Sequence, residues 1–505
     1  MTSPDGGTGG DVCFASIAEL GRGLGSGELT SVEIVTAALE RIAELDAEGP
    51  SVRSVLAVEP GALGEATARD DERRAGRVRG PLHGVPILVK DNIETRGALG
   101  ASAGSLALLG VATEGDAPCV ARLREAGAIL LGKTNLSEWA NFRSRHAVSG
   151  WSAVGGQTRN PHALDRSPGG SSSGSGAAVA AGLASLALGT ETDGSIVCPA
   201  ALNGVVGLKP THGLVPSGGV VPLAPSQDCV GPLGRSVADV ALALDALVPA
   251  GSGVPASGYA VHATPTSLDG VRIGVARMQY SGACPSADGL FEEALAAASA
   301  AGAILVDPAD IPTAGELAAF ADEMVVLSFE LHDSLDRYLA ARAGGRDAGP
   351  RSLAEVVALN DAHAERELRL FGQDLFLEAL GTTGLSSPLY LEALERNRAR
   401  ARNRGLDAAF ASSSADVLMM VTTGPAWPID QLNGDPSVVI SSSPAAVAGY
   451  PTLSLPIGAV SGLPVGASLV GRPFSEPTLL RVAAGLEREI GVVLRPSFRP
   501  TVPID

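Results

Sequence analysis

The sequence predicts an α/β protein. Short apolar runs bounded by turn residues read as buried strands, and helical stretches between them set up a β–α alternation. The chain of 505 residues, 45 % hydrophobic, is long enough to bury a large core without staples. That length suits two or three average domains or one large α/β domain. No internal repeat and no interdomain linker divides it.

The elements follow in chain order. Residues 1–10 are polar and Gly-rich and read as a flexible tail. Thr30-Ser31-Val32-Glu33 fits a capping box, with an amphipathic helix expected to about Leu45. Val85–Val89 is an apolar run ending at Lys90-Asp91, a buried strand. Asp116 is placed to cap a helix that stops at Gly127, and Ala128–Leu131 then reads as a strand. Pro168 to Gly176 is almost pure Gly and Ser, the composition of a flexible linker, yet Ala177–Leu188 continues at once as an apolar helix. Glu191–Ser195 is a tight polar turn, and Val205–Leu208 a strand. Residues 268–415 are richer in helix, most clearly Glu365–Leu380 and Leu391–Phe410. The end returns to strands at Pro451–Pro456 and Ala467–Val470, with a helix near Leu479–Glu489. The middle thus reads as an elaboration on one outer pattern.

Composition excludes several classes. The formal charge of -18 repels phosphate backbones, so nucleic acid is not an expected partner. The five cysteines (Cys13, Cys119, Cys198, Cys229 and Cys284) form no C-x-x-C pair and fit buried free thiols of a reduced compartment. The N-terminus has no basic stretch followed by an apolar one, so no signal peptide is read. The longest small-and-apolar stretch, near Ala177–Gly189, is too short to span a membrane. A cytoplasmic location is expected, with no membrane and no nucleic acid among the partners.

Three stretches carry chemistry. Lys90 at a strand end is either a solvated lysine or one held in a desolvated site, where burial lowers its pKa and frees it as a base. Gly169 to Gly176 contains G-x-S-x-G at Gly170–Gly174, but Asp165-Arg166-Ser167-Pro168 precedes it instead of the strand a nucleophile elbow needs, and the last histidine is His363. Gly174-x-Gly176 is no dinucleotide fingerprint either, because Val179 stands where the third small residue belongs. Thr192-Asp193-Gly194-Ser195 is either an ordinary turn or a serine among converging N–H donors.

Taken together, these stretches resemble the amidase-signature family. His83-Gly84-Val85-Pro86-Ile87-Leu88-Val89-Lys90-Asp91 is similar to its lysine strand, Pro168–Gly176 to its Gly/Ser loop, Gly189–Ile196 to its nucleophile turn, and Gly204–Thr211 to the strand that follows. The interval from Ser171 to Ser195 matches the family's spacing, and Gly132–Trp139 and Gly471-Arg472-Pro473-Phe474 extend the likeness along the chain. Within the family, Glu191–Ala200 together with Ser149-Gly150-Trp151-Ser152-Ala153 most resembles bacterial peptide amidases, which remove the C-terminal amide of peptides. Asp193 departs from a usual Gly or Ala, and Val197 from a usual Arg.

The resemblance implies one large domain over residues 11–505, a mixed β-sheet flanked by helices on both faces, with residues 268–415 shaping the pocket. It implies Ser195 as nucleophile, Ser171 as bridging serine after a cis bond to Gly170, Lys90 as general base, and the backbone N–H groups of Thr192, Asp193, Gly194 and Ser195 as oxyanion hole. No metal or other cofactor is implied. Ser173 is expected to brace the loop, while Glu191 and Asp193 either hydrogen-bond the turn or orient Lys90. Trp139 and Phe142 line the pocket or pack the core, and Trp427, Val197 and the Phe371–Asp374 segment are further pocket candidates. If Val197 faces the acyl pocket, neutral acyl groups are preferred over small acids. The expected partner is a small-molecule or peptide amide, and a homodimer is left open. The alternative is an ammonia-supplying, glutaminase-type subunit of a tRNA-dependent amidotransferase.

Overall fold

One sheet of eleven strands runs through the protein, and both its faces are covered by helices. The computed structural model describes residues 9–97, 99–111, 113, 115–251, 255–342, 349–436 and 438–503. Its strands are β1 (Val55–Val58), β2 (Pro86–Lys90), β3 (Ile129–Thr134), β4 (Trp151–Ser152), β5 (Gly156–Gln157), β6 (Leu186–Glu191), β7 (Val206–Lys209), β8 (Cys229–Gly234), β9 (Arg272–Val275), β10 (Ile304–Val306), β11 (Val417–Val421), β12 (Thr452–Val460) and β13 (Leu463–Val470). The large sheet has the order β1-β3-β2-β6-β8-β7-β12-β13-β11-β9-β10, and β4 with β5 makes a separate two-stranded ribbon. It is mixed: β2 lies parallel to β3 and β6, and β9 parallel to β10 and β11. The remaining neighbours are antiparallel.

Side-chain alternation shows how the sheet is buried. In β2, Ile87 and Val89 join one apolar cluster and Leu88 the opposite one; in β6, Leu186 and Leu188 face the first and Ala187 the second. The first cluster is completed by helices Ile17–Ser26, Val237–Leu247, Pro285–Ala300 and Glu476–Ile490, the second by Ser31–Arg41, Ala62–Arg74 and Ser173–Ala180. A strand covered on both faces reads as a continuous apolar run, which is why Val85–Val89 is legible in the sequence.

The capping box forms as read. Thr30 Oγ1 accepts from Glu33 N at 3.1 Å and the Glu33 carboxylate accepts from Thr30 N at 2.8 Å. Other boundaries differ. The helix after Asp116 spans Pro118–Glu125, with Ala117 at its N-cap and proline in its first turn, so Asp116 does not cap it; it accepts instead from Arg96 N at 2.9 Å. The helix expected over Ala177–Leu188 is Ser173–Ala180, begun by the Gly/Ser stretch itself, and Leu186–Glu191 is strand β6. Glu365–Leu380 is broken into Ala364–Glu367 and Asp374–Leu380. The helix-rich middle also supplies β9 and β10 to the sheet. Residues 1–8 of the expected tail lie outside the described residues, and a helix, Gly9–Phe14, begins at Gly9. No described helix is long and apolar enough to cross a membrane. All five cysteines are free thiols.

Candidate active site

Lys90 ends β2, and β6 is its parallel neighbour, so the turn that follows β6 lies beside the lysine at the same edge of the sheet. Lys90 is 0 % exposed. Its Nζ lies 2.8 Å from Ser171 Oγ, 2.8 Å from Thr190 Oγ1 and 3.2 Å from the Thr190 carbonyl. Asn92 Nδ2 donates to the same Thr190 hydroxyl at 2.9 Å. Burial brings the lysine down to about 7, against the opposing pull of the Asp228 and Glu191 carboxylates.

Two other lysines are equally buried, and the contrast is informative. Lys133 donates to the carbonyls of Ile93 and Gly100 and lies 3.7 Å from Asp91. Lys209 donates to the carbonyls of Tyr450 and Pro210 at 2.6 and 3.2 Å. Both satisfy backbone acceptors that the fold would otherwise strand. Lys90 is the one of the three that bonds side-chain hydroxyls.

The Gly/Ser loop is pinned against the turn after β6. Ser172 N donates to the Ser195 carbonyl at 3.1 Å, and Ser172 Oγ donates to the Thr190 carbonyl at 3.0 Å. Ser171, one residue earlier, is thereby held against Lys90, on the loop that Ser172 ties to Ser195. The Gly170–Ser171 peptide bond is cis, as the resemblance implies. A side chain at Gly170 would place its Cβ 2.2 Å from Ser137 Oγ, so only glycine fits. Ser173 Oγ donates to the Gly169 carbonyl at 2.5 Å and braces the loop as expected.

The turn itself is braced by carboxylates. Glu191 Oε2 accepts from Ile196 N at 2.7 Å and Val197 N at 3.0 Å, joining the end of β6 to the start of the helix Val197–Asn203. Of the two roles open for Glu191, its hydrogen bonds serve the turn. Asp193 Oδ2 accepts from Ser443 Oγ at 2.7 Å, and the next residue, Gly194, takes φ 79°. Among the described residues, the N–H groups of Asp193, Gly194 and Ser195 donate to no protein acceptor. Thr192 Oγ1 donates to Asp228 Oδ1 at 2.6 Å, and burial pushes Asp228 up to about 6.

A cavity of about 370 Å³ opens at Ser195, with Gly170, Thr192, Asp193, Phe142 and Trp427 in its lining. Phe142 and Trp427 therefore stand where a substrate would meet them, and Trp427 Nε1 donates to Asp435 Oδ1 at 3.0 Å. Two pocket candidates do not reach it. Trp139 packs in the core edge-on to Phe376, with ring centroids 5.5 Å apart. Val197 is fully buried in its helix, away from the lining, so its replacement of a usual Arg does not set the charge of this cavity. Phe371 packs on Trp151 at 5.1 Å under the Arg143 guanidinium, and Gln373 bonds Asn360 and Asp361, so that segment is structural too.

Sequence reasoning missed Thr190, Asn92, Asp228 and Glu323. Thr190 sits inside a quoted motif, and Asn92 lies in the turn that ends β2, closed by Ile93 N on the Lys90 carbonyl at 3.0 Å. Glu323 enters the cavity wall from a helix far along the chain, Ala321–Arg342, and carries no local signal. Among the described residues, no group of three or more His, Cys, Asp or Glu is placed to hold a metal ion.

Known proteins resemble this chain over nearly its whole length. The family model "Amidase" matches residues 33–480. The structure of the native peptide amidase of Stenotrophomonas maltophilia superposes with a TM-score of 0.89 at 47 % identity, covering 96 % of this chain and 98 % of that one. A probable amidase of Arabidopsis thaliana is 37 % identical over 500 residues, 96 % of this chain and 91 % of its own length. A glutamyl-tRNA(Gln) amidotransferase subunit from Symbiobacterium thermophilum is 39 % identical over 488 residues, 93 % of this chain and 95 % of its own.

Proposed function

The chain belongs to the amidase family, and on that premise we propose that it hydrolyses the C-terminal carboxamide of peptides, with Ser195 as nucleophile, Ser171 as relay and Lys90 as base. The observation that carries this reading is Lys90 Nζ, fully buried and 2.8 Å from Ser171 Oγ, beside a cavity that Ser195 lines. A neutral amine has two N–H donors and one lone pair. In that form the lone pair can accept from Ser171 Oγ while the two N–H groups donate to the Thr190 hydroxyl and carbonyl.

In the proposed cycle the Lys90 lone pair takes the Ser171 proton as Ser171 takes the Ser195 proton. Ser195 Oγ bonds to the amide carbon, and the carbonyl electrons move to oxygen. The free N–H groups of the turn at Thr192, Asp193, Gly194 and Ser195 receive that oxyanion. The relay then returns the proton to nitrogen, the C–N bond breaks, and ammonia leaves an acyl-enzyme. Water repeats the sequence at the ester and frees the peptide acid. The peptide substrate is supported by the 47 % identity to the native peptide amidase of Stenotrophomonas maltophilia. An apolar lining that includes Phe142, Leu223 and Leu327 suits a hydrophobic C-terminal residue.

A second reading has this chain pass ammonia to a partner, as the 39 % identity to the amidotransferase component of Symbiobacterium thermophilum suggests. One experiment separates the two. The purified chain alone is supplied with an amidated hydrophobic dipeptide and with glutamine in competition, and ammonia and acid are measured. Faster turnover of the peptide amide is expected. Preferential turnover of glutamine would reject the peptide assignment.

A further inference from the structure

The cavity at Ser195 is lined by three carboxyl groups, those of Asp193, Glu323 and Asp435, and by no Lys, Arg or His among the described residues. Asp193 and Glu323 enter this lining from the nucleophile turn and from the helix Ala321–Arg342, and each carries a carboxyl whose ionisation bears on the other. Two ionised carboxylates are acceptors only and repel one another, whereas one proton shared between them removes the repulsion and supplies a donor.

The surrounding contacts say where the proton sits. Glu323 Oε1 accepts from Gln227 Nε2 at 2.8 Å, and Asp193 Oδ2 accepts from Ser443 Oγ at 2.7 Å. The second oxygens, Glu323 Oε2 and Asp193 Oδ1, are buried and have no hydrogen-bond partner among the described residues. A proton on Glu323 donated to Asp193 satisfies both. Burial pushes the Glu323 carboxyl well above the usual range and raises Asp193 as well, while serine donors favour the ionised form of Asp193. Sharing one proton in this way satisfies both unpartnered oxygens and leaves the pair one negative charge. Gln227 Nε2 also donates to the Thr192 carbonyl at 3.2 Å, which ties the pair to the turn that carries Ser195. Asp435, held by Trp427 Nε1 and Ser149 N, adds a third acidic group. Lys209, the cation that bears on Asp193, is fully buried and occupied by two backbone carbonyls; Glu191 and Tyr280 are further titratable neighbours of Asp193.

We propose that the Asp193–Glu323 pair is a charge filter on the acyl side of the site, admitting peptide amides whose C-terminal side chain is neutral or cationic and rejecting those that carry a carboxylate. This rests on the peptide-amide reading above. With ammonia as leaving group, nearly all of a cavity of about 370 Å³ houses the acyl portion, so its walls meet the acyl side chain. A carboxylate brought near a fixed negative charge in a poorly solvated cavity is repelled and loses its water without gaining a partner.

The test uses N-acetylmethioninamide and the α-amide of N-acetylglutamate, similar in length and different in charge, with the acids separated by chromatography. The wild-type protein is expected to favour the methionine substrate in kcat/KM by roughly 10- to 100-fold near neutral pH, mostly through KM. Glu323→Gln keeps a donor to Asp193 and keeps the charge, so the ratio should stay. The double variant Asp193→Asn/Glu323→Gln removes the charge, and the ratio should fall by about tenfold or more, read as a ratio because Asp193 belongs to the catalytic turn. A wild-type ratio near one, with both amides hydrolysed, overturns the filter and leaves the peptide-amidase reading standing; failure to hydrolyse either overturns both. A double variant that folds, by circular dichroism, and retains the wild-type ratio also overturns it. Should the double variant not fold, Asp193→Asn alone must lower the ratio.

Discussion

Lowering the pH from about 8 to about 5 should protonate Lys90 and stop the relay at its first step. In water a lysine near 10.4 is neutral in only about 0.04 % of molecules at pH 7. Burial with hydroxyl and carbonyl partners brings Lys90 to about 7, where roughly half the molecules carry the free amine. That difference is worth about 5 kcal/mol in favour of the working base. Because activity needs the neutral form, kcat/KM should rise with pH through an inflection near 7 and fall about tenfold for each pH unit below it. An N-acetylated dipeptide amide, which has no titrating group, is the substrate, and ammonia release at constant ionic strength is the assay. The inflection belongs to no histidine of the cavity, since none lines it among the described residues. Asp228 is the anion that most favours the charged lysine, so Asp228→Asn should move the inflection toward acid. A profile flat from pH 5 to 8, an inflection near 10, or the same inflection in the residual activity of Lys90→Met would refute this account.

Other consequences are more direct. Ser195→Ala should abolish turnover, since no other group forms the acyl-enzyme, while Ser171→Ala should keep a residual rate where a water bridges to Lys90; single-turnover kinetics separates the two. Lys133→Met should lower the melting temperature by stranding two buried carbonyls but leave the inflection near 7 in place, as its contacts are structural. Phe142→Ala should raise KM for an amidated hydrophobic dipeptide by roughly tenfold or more, with kcat less affected, from lost apolar burial of about 1.5–3 kcal/mol. EDTA should leave the rate unchanged, and loss with rescue by zinc would contradict the relay.

Much of the sheet is legible in the sequence because a strand covered on both faces must be apolar throughout, as Val85–Val89 is. The same property misleads at Leu186–Glu191, where a fully buried strand follows closely on an Ala-rich helix and periodicity cannot mark the change. Asp116 has the residue type of a cap, but Pro118, fixed at helical φ, sets the start of that helix. Within the site, Lys90, Ser171 and Ser195 lie in contiguous motifs and are found there. Trp139 is open between pocket and core on sequence alone, and Phe376, more than two hundred residues away, holds it in the core. Glu323 is invisible for the same reason: its partner Asp193 is brought to it by the packing of a remote helix on the sheet.

The proton relay and part of the cavity wall stand on separate elements. Lys90 and the Ser195 turn stand on neighbouring strands of the central sheet, where a shift of one residue would disrupt the core on both faces. Part of the cavity wall comes from a single helix, on which Glu323, Met324 and Leu327 lie at the spacing of one helical face, just after Phe320. Selection can therefore rewrite the acyl preference at three or four positions without disturbing the proton relay. For an engineer, a small library restricted to Phe320, Met324 and Leu327 is the economical route to new amides, because the chemistry is anchored elsewhere.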